Sequence, residues 1–313
     1  MKYWTDTPTP CIIPSNAKGK SIKQMVIHMG NLKLKTRSEI IFLLLALPSL
    51  LGMLTFFLVP FGFSLFLAVM DNPVGRNFVG LRNFAGTIGN EAFRLGLRNT
   101  LVFMGISVPI NMIFPLLIAM ALKNMPQREL FGLFFLLPLV VPSGSMVRFW
   151  HSIFGINGVL NSMFFANPIN WLNTDHAPMV ILLIFIWKNA GFNVVLFQAG
   201  LNLIPRDYYE CAVIEGAGRW RLFRSVTLVY LVPTIFMVLL MSILATFRSF
   251  REIYLLSGAH PHRSIYMLQH FMNNMFVSLN YQRLAPAAFI LASGIVVVML
   301  GVFWVQRRVI SHD

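Results

Sequence analysis

Acidic residues are scarce in this chain of 313 residues, which has 11 Asp and Glu against 25 Lys and Arg. Only 12% of the residues are charged, whereas 57% are hydrophobic and the mean hydropathy is +0.69. A soluble core of this size cannot bury so much apolar surface. The basic residues stand at the ends of apolar runs and form no patch interleaved with aromatic residues, which argues against a nucleic-acid partner. The composition therefore predicts an integral membrane protein whose partner is the lipid bilayer.

Motifs for catalysis and for metal binding are also missing. The chain has no G-x-x-x-x-G-K-[ST] phosphate loop, no G-x-S-x-G elbow, no H-E-x-x-H and no paired cysteines. We therefore expect neither an enzyme nor a bound cofactor or metal. Cys11 and Cys211 both fall in segments that are predicted below to be cytoplasmic, so we expect no disulfide. His260, His262 and His270 have a spacing that fits no common metal set, and we expect them to be solvated loop histidines.

Six apolar runs are long enough for helices that cross the roughly 30 Å of hydrocarbon in a bilayer. They cover residues 40–70, 100–122, 130–147, 178–201, 225–247 and 284–305. A cleavable signal peptide is the alternative for the first run, but about forty residues precede it and no small-x-small site follows. The third run is short and contains Pro138 and Pro142, so we expect a kink or an extension past Arg148.

Lysine and arginine in the connecting segments predict the orientation. The tail of residues 1–39, the second and fourth loops and the C-terminus all carry basic residues, whereas the opposite loops contain arginines but no lysine. Both termini are therefore predicted to be cytoplasmic. The predicted organisation is a cytoplasmic tail (1–39), a first helix with an external loop (40–99), a core of five helices (100–306) and a short cytoplasmic tail (307–313).

The loop between the fourth and fifth runs differs from a plain connector. Pro205 is predicted to end the preceding helix, Asp207 to act as N-cap, and Glu210 to complete a capping box. Gly216 and Gly218 then permit a helix end and a tight turn. The loop is therefore predicted to form a short helix parallel to the membrane surface, for which a simple interfacial role is the alternative.

This loop resembles the coupling loop of ABC importer permeases, which has the form E-A-A followed three residues later by G-A, with a phenylalanine before the next span. Cys211 stands where the family has alanine, and Glu215 where aspartate is usual. The residues that match the coupling pattern are Glu210, Cys211, Ala212, Glu215, Gly216, Ala217 and Phe223.

The resemblance extends over roughly residues 40–305. Residues 80–100 are similar to the family's entry into the second span, and residues 136–150 and 186–205 are similar to its third and fourth spans. Residues 247–276 resemble the external segment of the permease that pairs with a second, different permease in maltose-type and glycerol-phosphate-type sugar importers. The resemblance implies an all-α integral membrane protein with six transmembrane helices, the type I ABC importer transmembrane domain, in a bacterial inner membrane.

The same resemblance implies an assembly. Two cytoplasmic ATPase subunits would bind ATP and Mg²⁺, a second permease would complete a heterodimer, and an external solute-binding protein would deliver a sugar. The loop helix would dock into a groove on the ATPase, with Glu210 as the charged anchor and with Gly216 and Ala217 allowing close approach. Its predicted apolar docking face consists of Tyr209, Ala212 and Val213.

Polar residues inside the apolar runs are candidates for a substrate path, because such residues are costly when they face lipid. Lys188 is the only charge in the middle of a run, and residues on the fourth and fifth runs repeat at helical spacing near it. The alternative is that these residues stabilise helix packing, and that Lys188 snorkels or pairs with a neighbouring subunit. The candidates are Lys188, Asn189, Phe192, Asn193, Ser242, Thr246 and Ser249.

Two other functions compete with a sugar importer. A secondary transporter needs ion-coupling acids inside its spans, whereas every acidic residue here is predicted to lie at the end of a span or outside it. An ABC importer permease for amino acids, peptides or phosphate esters is the nearer alternative, because only residues 247–276 favour the sugar type.

Overall fold

A computed structural model describes residues 37–71, 77–123, 125–126, 128–165 and 167–311. Every regular element in these ranges is helical, and the one β feature among them is an isolated bridge between Met70 and Phe78. This confirms the predicted all-α class. The prediction for the N-terminal tail concerns residues that lie almost entirely outside the described ranges, since the first described helix begins at Arg37.

We number fourteen α-helices in chain order within the described residues. They are α1 Arg37–Met53, α2 Val59–Ala68, α3 Arg82–Gly89, α4 Glu91–Leu122, α5 Arg128–Val140, α6 Ser143–Phe154, α7 Val159–Phe164, α8 Ala177–Asn202, α9 Arg206–Ile214, α10 Arg219–Leu222, α11 Leu228–Arg248, α12 Phe250–Ser257, α13 Leu268–Val277 and α14 Tyr281–Ser311. Two π-helical turns, Leu54–Leu58 and Phe223–Thr227, connect α1 to α2 and α10 to α11.

Five stretches in the described ranges are long and apolar enough to cross a membrane, and a sixth is present if α5 and the segment after it count as one span. The five are Leu44–Ala68, Glu91–Leu122, Ala177–Asn202, Arg219–Ser257 and Tyr281–Val309. The predicted third span is not straight, because the helix ends at Val140 and the chain bends by 92° before Ser143. A residue that precedes proline is disfavoured in a helix, and Val141 stands directly before Pro142.

The second and fifth spans are longer than predicted. Helix α4 begins at Glu91 instead of residue 100, because the Asn90 side chain caps it by accepting a hydrogen bond from the Phe93 N–H at 3.1 Å. The fifth stretch continues through α12 to Ser257, although the apolar run ends at residue 247. This extension brings one acidic residue into the stretch.

The described residues divide into two units, with the boundary between Phe63 and Ser64. In the described part of the first unit no described side chain is buried, and large apolar residues such as Phe42 and Phe56 are exposed. Such a surface is expected of a helix in lipid, since its backbone polar groups are satisfied within the helix.

The second unit is built around α4, α8 and α11, which contact one another. Val194, Leu231 and Val238 are completely buried between them. On α8, Gly191 lies so close to the Phe135 carbonyl of α5 that a Cβ atom would overlap with it. Small residues at helix crossings allow this approach in membrane proteins.

Cys211 is disulfide-bonded, so the prediction that it forms no disulfide is wrong. That prediction used only the redox state of the compartment, which contains no information about geometry. The same prediction for Cys11 concerns a residue outside the described ranges.

Candidate functional site

Helix α9 is the predicted loop helix, and it begins at Arg206. Pro205 occupies the N-cap position with φ −59° and ψ 141°, and no side chain caps the helix. The predicted Asp207 N-cap and its capping box with Glu210 are therefore wrong. Asp207 lies in the first turn instead, where the positive end of the helix dipole favours a carboxylate.

The end of α9 has the predicted geometry. Gly216 adopts φ +80°, the left-handed conformation that glycine tolerates best. The Ala217 N–H donates to the Ala212 carbonyl and the Gly216 N–H to the Val213 carbonyl, each at 2.9 Å. These two bonds form a Schellman motif, which fixes where the helix stops. Gly218 is extended, with φ −69° and ψ 167°, and needs no special freedom.

The inner face of α9 is anchored to the chain's own core. Tyr209 and Ala212 are half-buried and pack against the cluster that includes Leu231 and Val238. The predicted apolar docking face of Tyr209, Ala212 and Val213 is therefore wrong for Tyr209 and Ala212, which face the core. Helical spacing shows which residues share a face, but it does not show where that face points. Val213 alone among the three is exposed.

The outer face of α9 presents a carboxylate beside apolar side chains. Glu210, Val213 and Ile214 stand at positions i, i+3 and i+4, and Val213 and Ile214 are 57% and 84% exposed. Glu210 and Glu215 are exposed, and neither has an ion-pair partner within the described ranges. Of the other residues that match the coupling pattern, Cys211 and Ala217 are half-buried and Gly216 is exposed.

Lys188 forms a partly buried ion pair with Glu252, which joins α8 to α12. The Ser143 hydroxyl of α6 donates to the same carboxylate oxygen at 3.2 Å. The expectation that every acidic residue lies at a span end or outside a span is therefore wrong. It failed because Arg248 and Arg251 suggest a helix end, whereas the helical stretch continues past them. Lys188 also needs no neighbouring subunit to neutralise its charge.

Three buried polar side chains link α4, α8 and α11, and we call them the polar knot: Asn111, Asn193 and Ser242. The Asn193 amide donates to the main-chain carbonyl of Asn111 at 2.8 Å and to the Ser242 hydroxyl at 3.1 Å. The Asn111 amide donates to the same hydroxyl at 3.1 Å. The knot is the arrangement that the helix-packing alternative describes, and Asn111 was not among the predicted residues.

The remaining candidates for the path have varied positions. A narrow pocket is lined in part by Lys188, Asn189, Ser249 and Glu252, so the structure brings three of the seven predicted residues together beside the ion pair. The amide of Asn189 and the hydroxyls of Thr246 and Ser249 donate to carbonyls of their own helical segments. Phe192 is 37% exposed on α8.

His270 departs from the solvated state predicted for it. Its side chain is completely buried in α13, and Nδ1 accepts a hydrogen bond from the Met267 N–H at 3.0 Å. Burial, with a smaller contribution from the charge of His260, lowers the pKa of His270 to about 4. His260 is exposed. Within the described ranges no three His, Cys, Asp or Glu residues are placed to hold a metal ion.

Comparisons with known proteins agree with this architecture. The family model described as "Binding-protein-dependent transport system inner membrane component" matches residues 37–311. The chain is 33% identical over 239 residues to the trehalose/maltose transport system permease protein MalF of Thermococcus litoralis, covering 73% of this chain and 81% of that protein. It is 28% identical over 279 residues to the sn-glycerol-3-phosphate transport system permease protein UgpA of Agrobacterium fabrum, covering 85% and 94%.

A solved structure of similar fold is a bacterial ABC transporter involved in the import of the acidic polysaccharide alginate. It matches with a TM-score of 0.74 and 21% identity, over 92% of this chain and 98% of that one. At this identity the likeness supports the fold. The family match covers most of the chain, and this membership excludes the secondary-transporter alternative. The chain therefore belongs to the family of binding-protein-dependent transport system inner membrane components, the multi-pass permeases of ABC importers.

Proposed function

We propose that this chain forms half of the translocation pore of an ATP-driven sugar importer in a bacterial inner membrane, with both termini in the cytoplasm. Five or six spans and a single loop helix suit half of a pore, so a second, different permease completes it. Two ATPase subunits bind ATP and Mg²⁺ on the cytoplasmic side and dock on α9. An external solute-binding protein delivers the sugar.

The two-faced character of α9 is the observation that carries this proposal. Its inner face is anchored in the core, while its outer face presents Glu210, Val213 and Ile214 without a partner in the described ranges. The Schellman motif fixes the end of the helix, so the outer face is a rigid projection. A short helix with one carboxylate and two apolar side chains fits an apolar groove with a basic rim.

The nature of the cargo is proposed from the relatives and from the pocket beside Lys188. Relatives are named for the transport of trehalose and maltose, of arabinooligosaccharides and of lactose, and also of sn-glycerol-3-phosphate. The pocket is too narrow for a sugar in this structure, but its two charged side chains, Lys188 and Glu252, neutralise each other. A sugar, with its uncharged hydroxyl groups, suits such a lining better than a phosphate ester does. A phosphate ester is the alternative cargo.

A charge reversal at Glu210 tests the proposal. In cells that express the chain with its neighbouring genes, Glu210→Arg should lower the uptake of labelled maltose or lactose by at least about tenfold, because it places a cation against a basic rim. Glu91→Arg is the control, since Glu91 is another exposed glutamate on a helix. Equal uptake by both variants, at equal amounts in the membrane, would count against docking through α9.

A further inference from the structure

Tyr209 on α9 contacts the cytoplasmic ends of two spans at once. The ammonium group of Lys123, at the C-terminal end of α4, lies 3.7 Å from the centre of the tyrosine ring. The Tyr209 hydroxyl lies 3.1 Å from the Thr227 hydroxyl, at the end of the π-helical turn that leads into α11. The Tyr209 side chain therefore contacts the ends of both α4 and α11.

These two interactions are directional, which distinguishes them from apolar contact. A cation is attracted to the face of an aromatic ring, so it follows the ring when the ring tilts or shifts. A hydrogen bond between two hydroxyls weakens steeply with misalignment. The neighbouring Tyr208 packs its ring 4.8 Å from that of Tyr230 on α11, but it has no comparable contact with α4 among the described residues.

The same two spans meet again at the polar knot in the middle of the unit. Asn111 belongs to α4 and Ser242 to α11, and both are hydrogen-bonded with Asn193 of α8. Helices α4 and α11 connect their inner ends to this depth, although Pro115 and Pro233 each remove one backbone hydrogen bond on the way. The π-helical turn at the start of α11 closes its hydrogen bonds over one residue more than an α-helical turn does, a feature that often marks functional segments of helices.

We propose that Tyr209 is the positioning residue that transmits a displacement of α9 to the ends of α4 and α11. The inference rests on the proposed docking of an ATPase on α9 and adds the route by which that docking reaches the spans. Glu210, Val213 and Ile214 take up the force on one face of α9, and Tyr209 passes it on from the other. If Tyr209 only filled space in the core, a displacement of α9 would not reach α4 and α11 through it.

Hydrogen exchange tests this route without knowledge of the cargo. The complete importer, with its ATPase subunits, is reconstituted in lipid nanodiscs and compared with and without a non-hydrolysable ATP analogue. In the wild type, the analogue should change exchange in α9 and at the cytoplasmic ends of α4 and α11. In Tyr209→Leu, the change in α9 should persist, while the changes at the ends of α4 and α11 should shrink by at least about threefold.

Two further variants separate the two contacts. Tyr209→Phe keeps the ring beneath Lys123 and should lose only part of the response, chiefly at α11. Thr227→Val removes the other hydroxyl of the same hydrogen bond. The double variant Tyr209→Phe with Thr227→Val should therefore lose no more of the response than either single variant does. Tyr208→Leu is the control for the contact with α4, because Tyr208 contacts Tyr230 of α11 through its ring and its hydroxyl, and this variant should keep the wild-type response at α4.

The outcomes distinguish this inference from the proposed function. If Tyr209→Leu keeps the full response at α4 and α11, or if Tyr208→Leu loses the response at α4 equally, the inference is overturned while docking on α9 stands. If the analogue changes nothing in α9 of the wild-type complex, the proposed docking fails and the inference fails with it.

Discussion

The outer face of α9 and the interior of the spans treat charged side chains in opposite ways. On α9, Glu210 and Glu215 are exposed and have no ion-pair partner within the described ranges. Inside the spans, Lys188 and Glu252 neutralise each other and Ser143 bonds to the carboxylate. A charge that its own chain leaves unpaired is available to another subunit, whereas a charge paired within the chain holds helices together. The function of a polar residue in this protein thus follows from whether its own chain satisfies it.

The largest effect is expected from breaking the interior pair. Glu252→Leu leaves the Lys188 charge, which is 19% exposed, without its partner, and this should destabilise the protein by about 3 kcal/mol. The measurement is thermal unfolding of the purified protein, with Glu210→Leu as the control that should leave the midpoint unchanged. The double variant Glu252→Leu with Lys188→Met should recover much of the lost stability. Equal midpoints for Glu252→Leu and Glu210→Leu would remove the distinction between the two regions.

A smaller effect is expected at the polar knot. Asn193→Ala removes a buried amide that makes two hydrogen bonds and should cost about 1–3 kcal/mol of stability. Asn189→Ala removes an amide that bonds only within its own helix and lines the pocket, so it should spare stability and raise the KM for uptake. Unfolding midpoints and uptake kinetics of both variants check this pair. The reverse pattern would assign the knot to the substrate path.

The smallest effect concerns the end of α9. Gly216→Ala forces a Cβ atom into a left-handed conformation at φ +80° and should cost about 1 kcal/mol. Gly218→Ala is the matched control two residues away, and it should be neutral because Gly218 is extended. Hydrogen exchange in α9 should increase for the first variant alone. An equal increase in both would mean that the Schellman motif does not fix the helix end.

The sequence was sufficient for features that depend on local chemistry. Apolar runs predicted the long helices, and Gly216 predicted the end of α9. Pro142 indicated a break in the third run, although it carries no information about the 92° angle of the bend.

Features that depend on contacts between distant residues could not be predicted in this way. Glu252 lies beyond two arginines that suggest the end of a span, and only its approach to Lys188, 64 residues earlier, shows why the helix continues. The same applies to the inner face of α9, because Lys123 and Thr227 are its neighbours in space and not in sequence. The cap at Asn90 was a local signal that the apolar pattern obscured.

Photo-cross-linking from the outer face of α9 is the most direct test of whether an ATPase subunit docks on this helix. A photoreactive amino acid replaces Ile214, which is 84% exposed on α9, and a control replaces Met163, which is 69% exposed on α7 in a predicted external loop. After irradiation of intact cells, mass spectrometry identifies the attached protein. Position 214 should cross-link to a subunit that carries a phosphate-binding loop, and position 163 should not. Cross-linking of that subunit from position 163, with none from position 214, would show that it does not dock on α9.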